Sequence, residues 1–84
     1  MHYVYLIKSV QYDWVYVGST SNFEKRLAQH NAGAVRSTKY RKPYILLYQE
    51  SFETISDARK REKLIKSDRI EKEKLVRKAL SSNG

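Results

Sequence analysis

The chain has 84 residues, enough for one compact domain with a modest core, and it carries 17 lysines and arginines against nine acids, a formal net charge of +8. It has no cysteine, which excludes disulfides, thiolate metal sites and a cysteine nucleophile. No apolar run is long enough to span a bilayer, and Met1-His2-Tyr3-Val4-Tyr5-Leu6-Ile7-Lys8 lacks the basic-then-apolar order of a secretory signal, so a cytoplasmic protein with an anionic partner, nucleic acid before any membrane, is expected.

Residues 2–9 alternate and are rich in aromatic and branched types, the pattern of a strand. Trp14 to Ser19 reads the same way, and the short polar link Gln11-Tyr12-Asp13 makes the pair an antiparallel hairpin. Ser21, followed three residues later by Glu24, has the form of a capping box and predicts a helix start, with Gly33 as the stop. Residues 34–43 are basic and polar and read as a loop ending at Pro43. Tyr44 to Phe52 is a third strand. Ser56-Asp57 opens a second helix running to about Lys66, and residues 69–80 form a third, with Leu75, Val76, Ala79 and Leu80 on one side. Residues 81–84 read as a frayed tail. The expectation is a single α+β domain over 1–80, a three-stranded antiparallel sheet flanked by helices in the order β-β-α-β-α-α.

Two helices carry polar residues that a plain core does not want. In the first, Phe23 and Leu27 mark the buried stripe, and His30 falls roughly 20° from Phe23, with Arg26 one turn before it. An arginine stem lying along the core and a histidine capping a carbonyl is the ordinary explanation of both; two phosphate-competent groups at a cleft is the other. In the second, Glu62 projects into the face formed by Ile55, Ala58 and Ile65, where a lone carboxylate is costly. Either Lys66, one turn on, neutralises it, or a metal ion does. In the hairpin, a register pairing odd with even positions puts Tyr5 and Tyr16 on one side of the sheet. Gly18 then marks a strand end or a close approach to the backbone.

These residues resemble a known signature. Tyr3-Val4-Tyr5 and Tyr16-Val17-Gly18 are similar to the paired tripeptides of the GIY-YIG nucleases. Arg26 lies eight residues after Gly18, where that family places its arginine. His30 follows one turn later, where it has histidine or tyrosine, and Glu62 lies on the helix after the third strand, where it keeps its metal-binding glutamate. The stretches Arg26-Leu27-Ala28-Gln29-His30-Asn31-Ala32-Gly33 and Ala58-Arg59-Lys60-Arg61-Glu62-Lys63-Leu64-Ile65-Lys66 look like the small stand-alone branch of the family, so the resemblance runs from Tyr3 to about Lys66. Valines stand for isoleucine at positions 4 and 17, Tyr3 for the name-giving glycine, and Ser19 where repair-type members carry a basic residue nearby.

The resemblance implies a divalent-metal-dependent endonuclease hydrolysing nucleic-acid phosphodiester bonds, on DNA in preference to RNA and with low sequence specificity. Glu62 would bind Mg2+ (or Mn2+), since magnesium takes one or two carboxylates and keeps several waters. Arg26 would stabilise the charge of the transition state. Tyr16 would act as general base or orient the water, Tyr5 would hydrogen-bond within the site or take the base role instead, and His30 would orient the scissile phosphate or relay a proton. The phenol, with a pKa near 10, needs help from Arg26 and the metal to act as a base. Arg36, Lys39, Arg41 and Lys42 in the basic loop, with Lys66, would follow the substrate backbone. Lys72, Lys74, Arg77 and Lys78 either extend that track or form a solvated face. A second copy or a recruiting protein would serve to cut both strands, and repair or recombination is the setting by analogy. The competing expectations are a catalytically silent nucleic-acid-binding module of the same fold and a domain that meets an acidic protein.

Overall fold

A computed structural model describes residues 1–81 of the chain. Strand β1 (His2–Ser9) is followed by β2 (Val15–Thr20), helix α1 (Phe23–Asn31), a 3-10 turn (Lys39–Arg41), β3 (Tyr44–Phe52), α2 (Ile55–Ser67) and α3 (Arg69–Ser81). This is the expected α+β order. Residue 81, counted with the tail from sequence, continues α3; residues 82–84 of that tail lie outside the described residues. Among the described residues no helix is long and apolar enough to cross a membrane.

The sheet runs β2-β1-β3 with both pairs antiparallel, so β1 is central. It is buried on both faces from Val4 to Ile7, which is why it is apolar at consecutive positions as well as alternate ones. Val4, Leu6 and Val17 pack against Ala58 and Ile65 of α2 and Leu75 of α3. On the other face Tyr5, Ile7 and Tyr44 form a second cluster with Trp14, Tyr16, Phe23 and Leu27. Thus α1 covers one face and the α2–α3 pair the other, each buried large side chain contributing roughly 1.5–3 kcal/mol. A bulge at Leu47, between the pairs Leu6–Tyr48 and Ile7–Leu46, shifts the register of β3.

Local details depart from the sequence expectation by a residue or two. The cap of α1 is Asn22, whose Oδ1 accepts from the Lys25 N–H at 3.2 Å, so the Ser21–Glu24 capping box does not form. Both residues are good caps; the choice follows the phase that turns Phe23 and Leu27 onto the sheet. The helix stops as expected at Gly33 (φ 79°), with a Schellman pair in which Ala34 N–H donates to Gln29 O and Gly33 N–H to His30 O. Thr54 rather than Ser56 caps α2, and Ile55, expected in the apolar face, is exposed because it lies in the first turn, ahead of the packed stretch from Ala58 to Ile65. Leu80 is likewise exposed, and the buried residues of α3 are Leu75 and Ala79. Arg61 joins α2 to β3 and α3 through Glu50 (2.9 Å) and Glu71 (3.0 Å).

The segment 34–43 is not a free loop. The Tyr44 hydroxyl donates to the Thr38 carbonyl (2.8 Å), the Ser9 hydroxyl to the Arg41 carbonyl (2.7 Å), and the Val10 N–H to the Pro43 carbonyl (2.9 Å). The Asn31 side chain exchanges hydrogen bonds with both backbone groups of Tyr44, fixing the end of α1 to the start of β3.

Candidate active site

Strand β2 is an edge strand, and the candidate residues gather around it from both faces. The register pairs Tyr5 with Gly18 and Ile7 with Tyr16, so the two tyrosines share a face as expected, their rings 6.4 Å apart. Ser19, one residue beyond Gly18, points to the opposite face, where α2 presents Glu62. The Ser19 hydroxyl donates to Glu62 Oε1 at 2.6 Å, and the Lys66 ammonium donates to Glu62 Oε2 at 2.6 Å. Lys66 also lies 5.8 Å from the centre of the Tyr16 ring, so the α2 groups reach round the strand edge to the tyrosine face.

Burial pushes the Glu62 carboxyl up, but the hydrogen bonds from Lys66 and Ser19 and the charge of Arg59 outweigh it and hold the pKa below its ordinary value. The group is therefore ionised at neutral pH. Lys66 is thus the cation that pairs with Glu62 in the structure. The structure adds Ser19, which sequence reasoning had counted only as a departure. The signal for Ser19 was its parity in β2, opposite to Tyr16, but its partner stands 43 residues away in sequence.

On the tyrosine face, Tyr5 and His30 are both enclosed. The Tyr5 hydroxyl meets His30 Nε2 at 2.9 Å, and His30 Nδ1 meets the hydroxyl of the buried Thr38 at 2.7 Å. His30 thus caps no carbonyl; it has no exposed surface and both its nitrogens are engaged. It holds Tyr5. Burial raises the pKa of Tyr5, opposed in part by the Arg26 guanidinium beside it, so Tyr5 keeps its proton. Tyr16 is half-buried and edge-on to His30 with ring centres 5.1 Å apart. Arg26, also half-buried, is steadied by Gln29 (3.2 Å). Its charge acts on both Tyr5 and His30. Gly18 lies under the Tyr5 ring: a Cβ there would come 2.5 Å from the Tyr5 hydroxyl oxygen.

Burial first and Arg26 second lower the His30 pKa to about 4. The unfolded chain takes up this proton near the ordinary value of about 6.5. Between these values the unfolded state binds more protons, so stability is complete above about pH 6.5 and is lost as pH falls towards 4, by up to about 3 kcal/mol. In urea melts across this range, His30→Gln should be less stable than the wild type at neutral pH and should lose much less on acidification. An equal slope for both proteins would assign the acid sensitivity to other groups.

The other expected contacts divide. Arg36, Arg41 and Lys42 are exposed and Lys39 is half-buried around the 3-10 turn, and the Arg41 guanidinium lies 4.6 Å over the Trp14 ring. On α3, Lys72 is half-buried and donates to the Val15 carbonyl of β2 at 2.9 Å, an internal role that separates it from any outward basic track.

A metal ion at this place would find one ionised carboxylate, Glu62, and one hydroxyl, Ser19, nearby. Among the described residues there is no group of three or more His, Cys, Asp or Glu side chains able to hold an ion. The donor set fits a hard ion that keeps most of its waters, such as magnesium, and does not fit a soft ion that needs a protein cage.

Comparisons with known proteins give the family of the chain. Residues 1–74 match the GIY-YIG catalytic domain. The chain is 44% identical over 77 residues to a UPF0213 protein of Staphylococcus haemolyticus, covering 89% of this chain and 93% of that relative. It is 42% identical over 77 residues to a UPF0213 protein of Natronomonas pharaonis, covering 89% of each. The solution NMR structure of a UPF0213 protein from Bacillus halodurans superposes with a TM-score of 0.56 at 30% identity, over 89% of this chain and 81% of that one. With the tyrosine pair, the arginine and the glutamate disposed about one strand edge, the chain belongs to the GIY-YIG family of nuclease domains.

Proposed function

We propose that this protein is an endonuclease that hydrolyses nucleic-acid phosphodiester bonds with Mg2+ or Mn2+, on DNA in preference to RNA, with low sequence specificity and in the cytoplasm. The observation that supports this reading is that Tyr5 feels the charges of both Arg26 and an ionised Glu62, while Lys66, bonded to Glu62, lies 5.8 Å from the Tyr16 ring centre at the edge of β2. Glu62 would hold the ion, with the Ser19 hydroxyl fixing the carboxylate plane. When bound, the ion supplies charge that polarises the phosphoryl oxygens and makes a water acidic. Arg26 binds the non-bridging oxygens, where a fixed guanidinium is strongest against charge that grows in the transition state. Tyr16, the more open of the two tyrosines, orients or deprotonates the attacking water. Tyr5, buried and held by His30, positions the Arg26 side of the site. Arg36, Lys39, Arg41 and Lys42 follow the substrate backbone, contacts that give affinity without sequence information.

Lys66 takes the place beside Glu62 that an ion would contest. Exchange of this ammonium for an ion frees Lys66 for a phosphate, so Lys66→Met should tighten Mn2+ binding about threefold to fivefold, the worth of an exposed ion pair. It should also weaken nucleic-acid binding. Titration calorimetry of the protein alone reads the first effect, and unchanged Mn2+ affinity would show that Lys66 and the ion do not compete.

The same contact favours a second reading, in which Lys66 permanently fills the position and the domain binds nucleic acid without cutting it. Incubation with labelled single-stranded, duplex and branched DNA and with RNA, with Mg2+, with Mn2+ and with chelator, separates the two. Metal-dependent products support the nuclease; salt-sensitive binding without products supports the silent module.

A further inference from the structure

From Lys25 to Gln49 the chain carries six lysines and arginines and no carboxylate. Elsewhere bases and acids are mixed, and some bases are used internally, such as Arg61 on Glu50 and Glu71 and Lys72 on the Val15 carbonyl. The field that an approaching polyanion meets is therefore concentrated on α1 and the turn that follows it.

In the middle of this stretch stands Tyr40, with 78% of its surface exposed, the most open aromatic ring among the described residues. The turn that carries it is held on both sides. Thr38 is buried against His30, and its carbonyl accepts from the Tyr44 hydroxyl. The Arg41 carbonyl accepts from Ser9, while its guanidinium lies over Trp14. A 3-10 turn has three residues per turn, so side chains at positions 38 and 41 share one side. Those two point to the body of the protein and Tyr40 points away from it. The ring meets the Lys39 ammonium, 4.9 Å from its centre.

An open ring on a held turn, flanked by cations, suits a ligand with flat apolar faces joined by anionic links. Nucleobases stack on such rings at little sequence preference, while the flanking phosphates meet Lys39 and Lys42. A base offers its face only where it is unpaired. We propose that Tyr40 is a base-stacking subsite, and that the nucleic acid engaged at residues 36–42 is single-stranded. This rests on the reading of the site as one that takes nucleic acid, and it names the strand form. The turn is joined to the reaction site by two short routes: Thr38 through His30 to Tyr5, and Arg41 through Trp14 to Tyr16, whose rings are 6.2 Å apart.

The test is fluorescence anisotropy without divalent metal, so that nothing is cut. The probes are a labelled single strand, its duplex, and a single strand of the same length made of abasic sites. The proteins are the wild type, Tyr40→Ala and Tyr40→Phe; the side chain is exposed, so the fold is unaffected. Tyr40→Ala should weaken single-strand binding about tenfold, the loss of one stacked base, and change duplex and abasic binding less than about twofold. Tyr40→Phe should bind like the wild type. Equal weakening on all three probes, or none on the single strand, would overturn the proposal. Tyr40-dependent single-strand binding by a protein that cuts nothing would sink the nuclease reading alone. Metal-dependent cutting with Tyr40-insensitive binding would sink this proposal alone, and a wild type that binds none of the probes would sink both.

Discussion

Glu62→Gln should lower metal-dependent cleavage by about a thousandfold or more while leaving nucleic-acid binding within a few-fold of the wild type. The magnitude follows from the several kcal/mol that a bound ion supplies in a phosphoryl transition state, at about 1.4 kcal/mol per tenfold in rate. Glutamine is nearly isosteric, and its carbonyl can still accept the Ser19 hydroxyl that now meets Oε1. Lys66 loses its carboxylate partner but is about half exposed and returns to water, so the fold should lose no more than about 1 kcal/mol. The melting temperature therefore serves as the control: a large drop would mean that activity was lost through unfolding. Cleavage that survives Glu62→Gln at the wild-type rate would remove Glu62 from the chemistry and leave the site without an ionised ligand for metal.

Much of this site was legible because strands and helices place residues by simple periods. Parity in the hairpin put Tyr5 and Tyr16 on one face, and the observed pairs Tyr5–Gly18 and Ile7–Tyr16 obey it. The turn angle of α1 put His30 beside Phe23 and Arg26 on the same flank, and the misfit of Glu62 in an apolar face marked it as a group needing a partner. What periods do not carry is contact between elements. Ser19 reaches Glu62 because α2 crosses the β2 edge at that height, and Thr38 reaches His30 because the segment after α1 folds back under the sheet. Thr38 sits in a run of basic and polar residues that reads as solvated loop, yet it is buried, since satisfying the second nitrogen of a buried imidazole outweighs the cost of enclosing one hydroxyl. For the same reason the enclosure of His30 between Tyr5 and Thr38 could not be read from the sequence. The caps slipped by one or two residues because neighbouring Ser, Thr and Asn are near equals locally, and the packing of Phe23 and Ala58 decides among them.

Gly18→Ala is expected to damage fold and site together, and the reason is space rather than backbone angle, because among the described residues Gly33 is the glycine with positive φ and Gly18 is not. The added methyl would lie 2.5 Å from the Tyr5 hydroxyl oxygen, 2.6 Å from Cζ and 3.0 Å from Cε2. Tyr5 has nowhere to retreat: its hydroxyl is bonded to His30, its ring packs edge-on to Phe23 with centres 5.4 Å apart, and only 1% of its surface is exposed. Either the Tyr5–His30 bond breaks or β2 moves away from β1, and the second carries Tyr16 and Ser19 with it. Overpacking of this kind costs about 1–3 kcal/mol, or about 5–20 °C in the melting temperature of a chain this size. Cleavage should fall further than the stability loss explains, since Tyr16 and the Ser19 that holds Glu62 are displaced. The double-mutant cycle with Tyr5→Leu isolates the cause. Leucine removes the ring atoms that the methyl meets, so Gly18→Ala should cost much less in that background than in the wild type. An undiminished cost there would mean that the strand backbone itself requires glycine, and that the contact between Tyr5 and Gly18 does not set the geometry of the site.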